Sequence, residues 1–260
     1  MIDIKHVRDT FNDYINQYDN KSDLGFKLKV VHTMHVVENA KTIAQKMKLN
    51  EEDIELAELI AFLHDIGRFD ELKKFKMFDN TINDHALCGS TILFKNNHIR
   101  EFIIDDSYDE IIKKAIENHN KLYIEPGLSD RELLHAKIIR DADKLDNFRV
   151  KVEEPIEAIF PSIVKTIDEF NNSLISDKVY EDISNKKCID IHDRVYALDY
   201  WLCILGFIFD INFKETFEIV KDNNYVNVLI DRFNYNNLET KEKMEIIRKL
   251  LNDYIDKKLV

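Results

Sequence analysis

Residues 51–68 read EEDIELAELIAFLHDIGR. The apolar positions repeat at helical spacing, so residues 51–66 are expected to form a buried helix. Asn50 precedes them and Asp53 follows three residues on, a pattern that resembles an N-cap with a supporting acid. Gly67 is expected to end the helix, since glycine readily takes the left-handed C-cap conformation. The helix therefore closes on a His64-Asp65 doublet, followed by Gly67 and Arg68. Adjacent helical residues point about 100° apart. At a helix terminus, however, both side chains can turn toward one ion. Imidazole with carboxylate suits Fe, Mn, Zn, Ni or Co better than Ca.

The same periodicity extends outward in both directions. Upstream, residues 27–48 (KLKVVHTMHVVENAKTIAQKMK) place Val36, Ala40, Ile43, Ala44 and Met47 on one face. Downstream, 68–83 is charged and irregular, and reads as a connection with at most a short helical turn. Helices are expected at 84–96 and near 108–120, followed by a loop at 121–128 holding Pro126 and Gly127. Ser129 with Glu132 forms a capping box that opens SDRELLHAKIIRDADKLDNF. Beyond residue 150 further helical patterns continue, punctuated by Pro155 and Pro161. A polar stretch at 172–191 is expected to be loop. Tyr200 to Phe209 (YWLCILGFIF) is half the ~20 residues needed to span a bilayer, so it reads as a buried helix.

Composition agrees with an all-α fold. Among 260 residues there are only 5 glycines and 3 prolines, which favours helices over a sheet with many tight turns. The net charge of −12 and the lack of a basic stripe argue against duplex nucleic acid as a partner. Cys88, Cys188 and Cys203 are scattered, which fits a reducing cytosol and no disulfide framework. The first residues are too charged for a signal peptide. The expected location is therefore cytoplasmic, with no membrane association.

Three single histidines lie on core-facing helix stripes. His32 stacks with Val36, His85 with Cys88, Gly89 and Ile92, and His119 with Ile112, Ala115 and Ile116. A buried imidazole without a partner costs about 1–3 kcal/mol, so each needs hydrogen bonds or a shared metal. Asp143 lies mid-helix in RDADKLD and has the same need. His35 is a decoy one turn from His32. His192-Asp193 is a second doublet, but Asp193 reads as an N-cap for DRVYALDYWL. His135 reads as a core residue, and His6 and His98 as solvent-facing.

The order His32, His64-Asp65, His85, His119, Asp143 resembles the HD-domain superfamily of metal-dependent phosphohydrolases. The local contexts VVHTMHVVENA, LIAFLHDIGRF, NDHALCGSTIL and IRDADKLD carry the resemblance over roughly residues 25–150. The family's first histidine precedes a small hydroxyl residue, as His32 precedes Thr33. The resemblance implies an all-α HD-domain helical bundle over residues 1–150, with a helical C-terminal region at 151–260 packed on it.

It further implies two divalent transition-metal ions. One would be held by His32, His64, Asp65 and Asp143, the other by Asp65, His85 and His119. Asp65 would hold the pair together and orient an activated water. Arg68 and Lys144 would bind a substrate phosphate, and Lys73, Lys74 and Lys76 would form a basic rim or lid. The cyclic-di-nucleotide phosphodiesterase branch has a His-His-Glu triplet where this chain has Asn118-His119-Asn120, and a Lys where it has Arg68. The expected partner is a small phosphorylated substrate such as a nucleotide, and a homodimer is compatible with the sequence. Two other functions compete: a di-iron oxygenase, and a non-catalytic sensor or interaction module that keeps its metal.

Overall fold

A computed structural model of the chain describes residues 1–18, 23–75, 84–160 and 166–260. Every regular element among them is helical. They form two compact units, Met1–Asp143 and Lys144–Val260. The division falls inside one helix, α8, between Asp143 and Lys144.

In the first unit the helices are α1 (Ile4–Asn16), α2 (Leu24–Lys46), α3 (Glu51–Leu63), α4 (Ile66–Phe75), α5 (His85–Ser90), α6 (Ile99–Phe102), α7 (Asp109–Asn118) and α8 (Asp130–Glu153), which runs on into the second unit. A π-helical turn, Thr91–Lys95, continues α5. α3 is the centre of this unit. Asn50 caps it, its side chain accepting from the Asp53 N–H at 2.8 Å. Glu51, Glu52 and Asp53 fill its first turn, where carboxylates complement the helix dipole. From Ile54 onward nearly every residue is buried, including Leu56, Leu59, Ile60, Phe62 and Leu63. A helix apolar on all sides needs cover on all sides. α2 packs along it most extensively, and α1 adds Phe11 against Phe62, ring centroids 5.5 Å apart.

Gly67 does not end a helix in the left-handed conformation. It lies within α4, and Gly127, at φ 88°, is the glycine with positive φ. Close approach explains Gly67 instead. A Cβ there would lie 2.3 Å from the His85 carbonyl oxygen and 2.7 Å from the Gly89 nitrogen. Only a hydrogen at residue 67 lets α4 and α5 meet backbone to backbone. Residues 66–75 are thus an ordered ten-residue helix rather than an irregular connection. Phe69 anchors it against Phe11, Tyr18 and Phe26. Lys76 and Pro161 lie outside the described residues.

The second unit continues with α9 (Ile156–Ile159), α10 (Ile167–Asn171), α11 (Asp177–Ser184), α12 (Ala197–Gly206), α13 (Lys214–Asp222), α14 (Tyr225–Ile230) and α15 (Leu238–Leu259). α11 lies in the stretch expected to be loop; it buries Val179 and Ile183, one turn apart. Residues 200–209 are helical as expected, in α12 and the 3-10 turn that follows. Trp201 is fully buried, and its indole donates to the Leu229 carbonyl at 3.1 Å. Asp193 does not cap α12. Asp199 does so from inside, accepting the backbone N–H groups of Val195 and Tyr196 at 2.9 and 2.8 Å. Among the described residues, no helix is long and apolar enough to cross a membrane.

Candidate metal centre

Helix ends supply three of the four histidines. His64 is the C-cap of α3 and His119 the C-cap of α7. The last carbonyls of a helix lack intrahelical partners. Each imidazole satisfies one of them: Nδ1–H of His64 donates to the Ala61 carbonyl, and that of His119 to the Ile116 carbonyl, both at 2.7 Å. Donation through Nδ1 fixes the tautomer, so both rings present an Nε2 lone pair to the interior. His85 opens α5 just after its N-cap Asp84. His32 comes from the middle of α2 and is buried. Asp143 comes from α8. Asn39, on α2, donates to the carbonyl of neighbouring Ala142 at 3.1 Å. This bond holds α2 and α8 together beside the site.

The six side chains expected to be ligands converge. They fall into two groups, His32, His64 and Asp143, and Asp65, His85 and His119, each with ligand atoms within 4.8 Å of one another. Asp65 joins the groups. Its Oδ2 lies 3.5 Å from His32 Nε2 and 3.2 Å from His64 Nε2. Its Oδ1 lies 3.4 Å from His85 Nε2 and 3.7 Å from His119 Nε2. His32 Nε2 is also 3.1 Å from Asp143 Oδ1, and the His85 and His119 Nε2 atoms are 3.1 Å apart.

This arrangement fits cations. The lone pair of His64 Nε2 faces a carboxylate oxygen and makes no hydrogen bond. A lone pair beside a carboxylate is repulsive unless a positive charge lies between them. Metal-bound imidazoles characteristically donate their other nitrogen to a carbonyl, as His64 and His119 do. Burial pushes the His64 pKa below the ordinary imidazole range. Burial, with nearby Arg68, pushes that of His85 further down. Both rings are therefore neutral at pH 7 and able to ligate. Burial alone would raise the Asp65 pKa. The charge of Lys29 leads the opposing effects and holds the carboxyl well below its usual range. Asp143 is likewise held low against burial by its hydrogen bond from His32.

The cations expected at the centre, and two more that the structure adds, differ in their partners. Lys29, one turn before His32 on α2, places its ammonium on Asp65 Oδ2. Arg68 is buried, with Nη1 donating to Glu71 at 2.6 Å and Nε 3.9 Å from Asp65 Oδ1. Lys144, in the second unit, pairs with Asp210 at 2.6 Å. Lys74 pairs with Asp70, and Lys73 lies over the Tyr18 ring. On α8, Arg140 is buried and donates to the carbonyls of Asn118 and Lys121 at 2.7 and 2.6 Å. That clamp fixes the chain on either side of His119.

The remaining histidines lie outside both groups. His35 and His192 are exposed. His135 is buried against Asp53 at 3.0 Å. The sequence reading missed Lys29 and Arg140. Both are cations three residues before a ligand on its own helix, the spacing that shares a helix face.

Residues 30–147 match the HD domain family. This part of the chain is an HD domain. HD domains are mostly metal-dependent hydrolases that bind divalent ions, and all six clustered ligands lie within the matched residues. No curated protein and no solved structure matches the chain.

Proposed function

We propose that this HD domain is a phosphohydrolase for a small phosphoester, with two divalent transition-metal ions held on either side of Asp65. One observation carries the reading: the two oxygens of Asp65 face different histidine pairs, so one carboxylate can serve two ions. The ions would supply an activated water for in-line attack and neutralise phosphoryl charge. His32, His64 and Asp143 would hold one, His85 and His119 the other. The tautomers of His64 and His119 are fixed by helix carbonyls, so these rings serve as ligands rather than proton carriers. Arg68, braced by Glu71, steadies the Asp65 oxygen that faces His85 and His119. The net charge of −12 disfavours long polyanions, which leaves a nucleotide or a similar small phosphate ester. The work would take place in the cytoplasm.

The test is a phosphatase and phosphodiesterase panel with Mn²⁺ or Fe²⁺, run beside metal analysis. Wild type should hydrolyse at least one phosphoester. Asp65→Ala should lose both metal and hydrolysis, whereas His192→Ala, changed at an exposed residue outside both groups, should lose neither. No hydrolysis with any metal, together with a mixed-valence iron signal, would favour an oxygenase. Full metal content with neither activity would favour a sensor.

A further inference from the structure

We propose that Lys29, rather than Arg68 or Lys144, is the cation that binds the substrate phosphoryl group. The inference rests on the phosphohydrolase reading. Its ground is a comparison of the three cations. Arg68 and Lys144 each have a carboxylate of their own, Glu71 and Asp210, and their side chains are 9% and 7% exposed. The Lys29 side chain is 18% exposed, and its carboxylate partner, Asp65, is the residue shared by both ligand groups.

The position follows from α2. Lys29 and His32 are three residues apart and lie on one face, so an ammonium and a ligand imidazole reach the same oxygen, Asp65 Oδ2. An ion held by His32, His64 and Asp143 would share that oxygen with Lys29. Two cations on one oxygen repel each other, and the ammonium is the one on a flexible four-carbon stem. The Lys29 side chain, 18% exposed, is the most solvent-accessible of the three, on the side from which an entering phosphate would come. An ammonium donates three hydrogen bonds. It can keep one near Asp65 and give the others to phosphoryl oxygens. Arg68, with Nη1 on Glu71 at 2.6 Å and its side chain only 9% exposed, lacks that reach.

The experiment uses full-length protein loaded with Mn²⁺, with inorganic phosphate as the probe. Phosphate affinity is measured by titration calorimetry, and bound Mn²⁺ by elemental analysis. Lys29→Gln should keep the wild-type ion content and bind phosphate at least about tenfold more weakly, the scale of a lost charged hydrogen bond. Lys29→Arg should recover part of the loss. Phosphate affinity within twofold of wild type in Lys29→Gln would overturn the proposal. Loss of Mn²⁺ in that variant would also overturn it, making Lys29 a positioning residue for the centre. If metal-loaded wild type itself binds no phosphate, the phosphohydrolase reading fails together with the proposal, and that result is distinct from a defect confined to the variant.

Discussion

If the centre holds two ions as proposed, replacing Gly67 with alanine should remove the one beside His85 and spare the other. The added Cβ would lie 2.3 Å from the His85 oxygen and 2.7 Å from the Gly89 nitrogen, whereas ordinary contact begins at 3.4 Å. Both atoms are backbone, so no side-chain rotation relieves the clash. α5 must withdraw by about 1 Å, carrying His85, its first residue, away from Asp65 Oδ1. Ligand distances tolerate only about ±0.2 Å, so His85 would no longer ligate. Overpacking of this kind costs about 1–3 kcal/mol, and each kcal/mol lowers Tm by about 2–4 °C for a chain of this size. The expected drop is therefore about 2–12 °C, with bound metal falling from two ions to one. Two other glycines calibrate the effect. At Gly89 the Cβ would meet the Ile66 Cγ2 at 3.2 Å, a tight contact with the end of a side chain, and the penalty should be smaller. At Gly206 it would meet Ile189 at 3.6 Å, an ordinary contact, so alanine should leave melting unchanged or raised. Thermal melting with elemental analysis reads all three variants. Wild-type melting and metal content in Gly67→Ala would refute the close-approach reasoning.

Two further predictions follow from the supporting residues. Arg140→Gln should lower ion content from two to one and destabilise by about 1.5–3 kcal/mol per lost charged hydrogen bond, as its clamp on Asn118 and Lys121 is released; urea unfolding with elemental analysis reads both, and two retained ions would contradict it. His135 gives a pH dependence. Burial lowers its pKa below the ordinary 6.5, so the unfolded chain takes up a proton there before the folded one does. Its contribution is full above pH 6.5 and is lost as pH falls below it. Measured with chelator, the Tm advantage of wild type over His135→Gln should shrink between pH 7.5 and 5, and a constant difference would contradict it.

The cluster was legible because a metal site would demand particular side chains on particular helices, and the structure brings those six side chains together. His32, His64, Asp65, His85, His119 and Asp143 announce themselves as polar residues on apolar stripes. The capping box at Ser129 and Glu132 was equally plain, and it forms, with Ser129 N–H donating to Glu132 at 2.6 Å. What failed was local punctuation. A glycine that permits backbone contact looks the same in sequence as one that ends a helix, so the part of α4 beyond Gly67 looks like a connection. α11 buries too few apolar residues to show a period. The cap of α12 reaches back from Asp199 inside the helix, which hid it behind the more obvious Asp193. Lys29 escaped notice because a lysine on an amphipathic helix ordinarily faces water. Only the packing of α2 against the end of α3 brings its ammonium to Asp65.

Diffraction from metal-loaded crystals, with anomalous scattering at the metal edge, tests the central claim most directly. Two peaks should flank the Asp65 carboxylate, about 3.5–4 Å apart as in other two-metal sites, one beside His32, His64 and Asp143 and the other beside His85 and His119. A single peak, or two that do not share Asp65, would contradict a centre bridged by that residue.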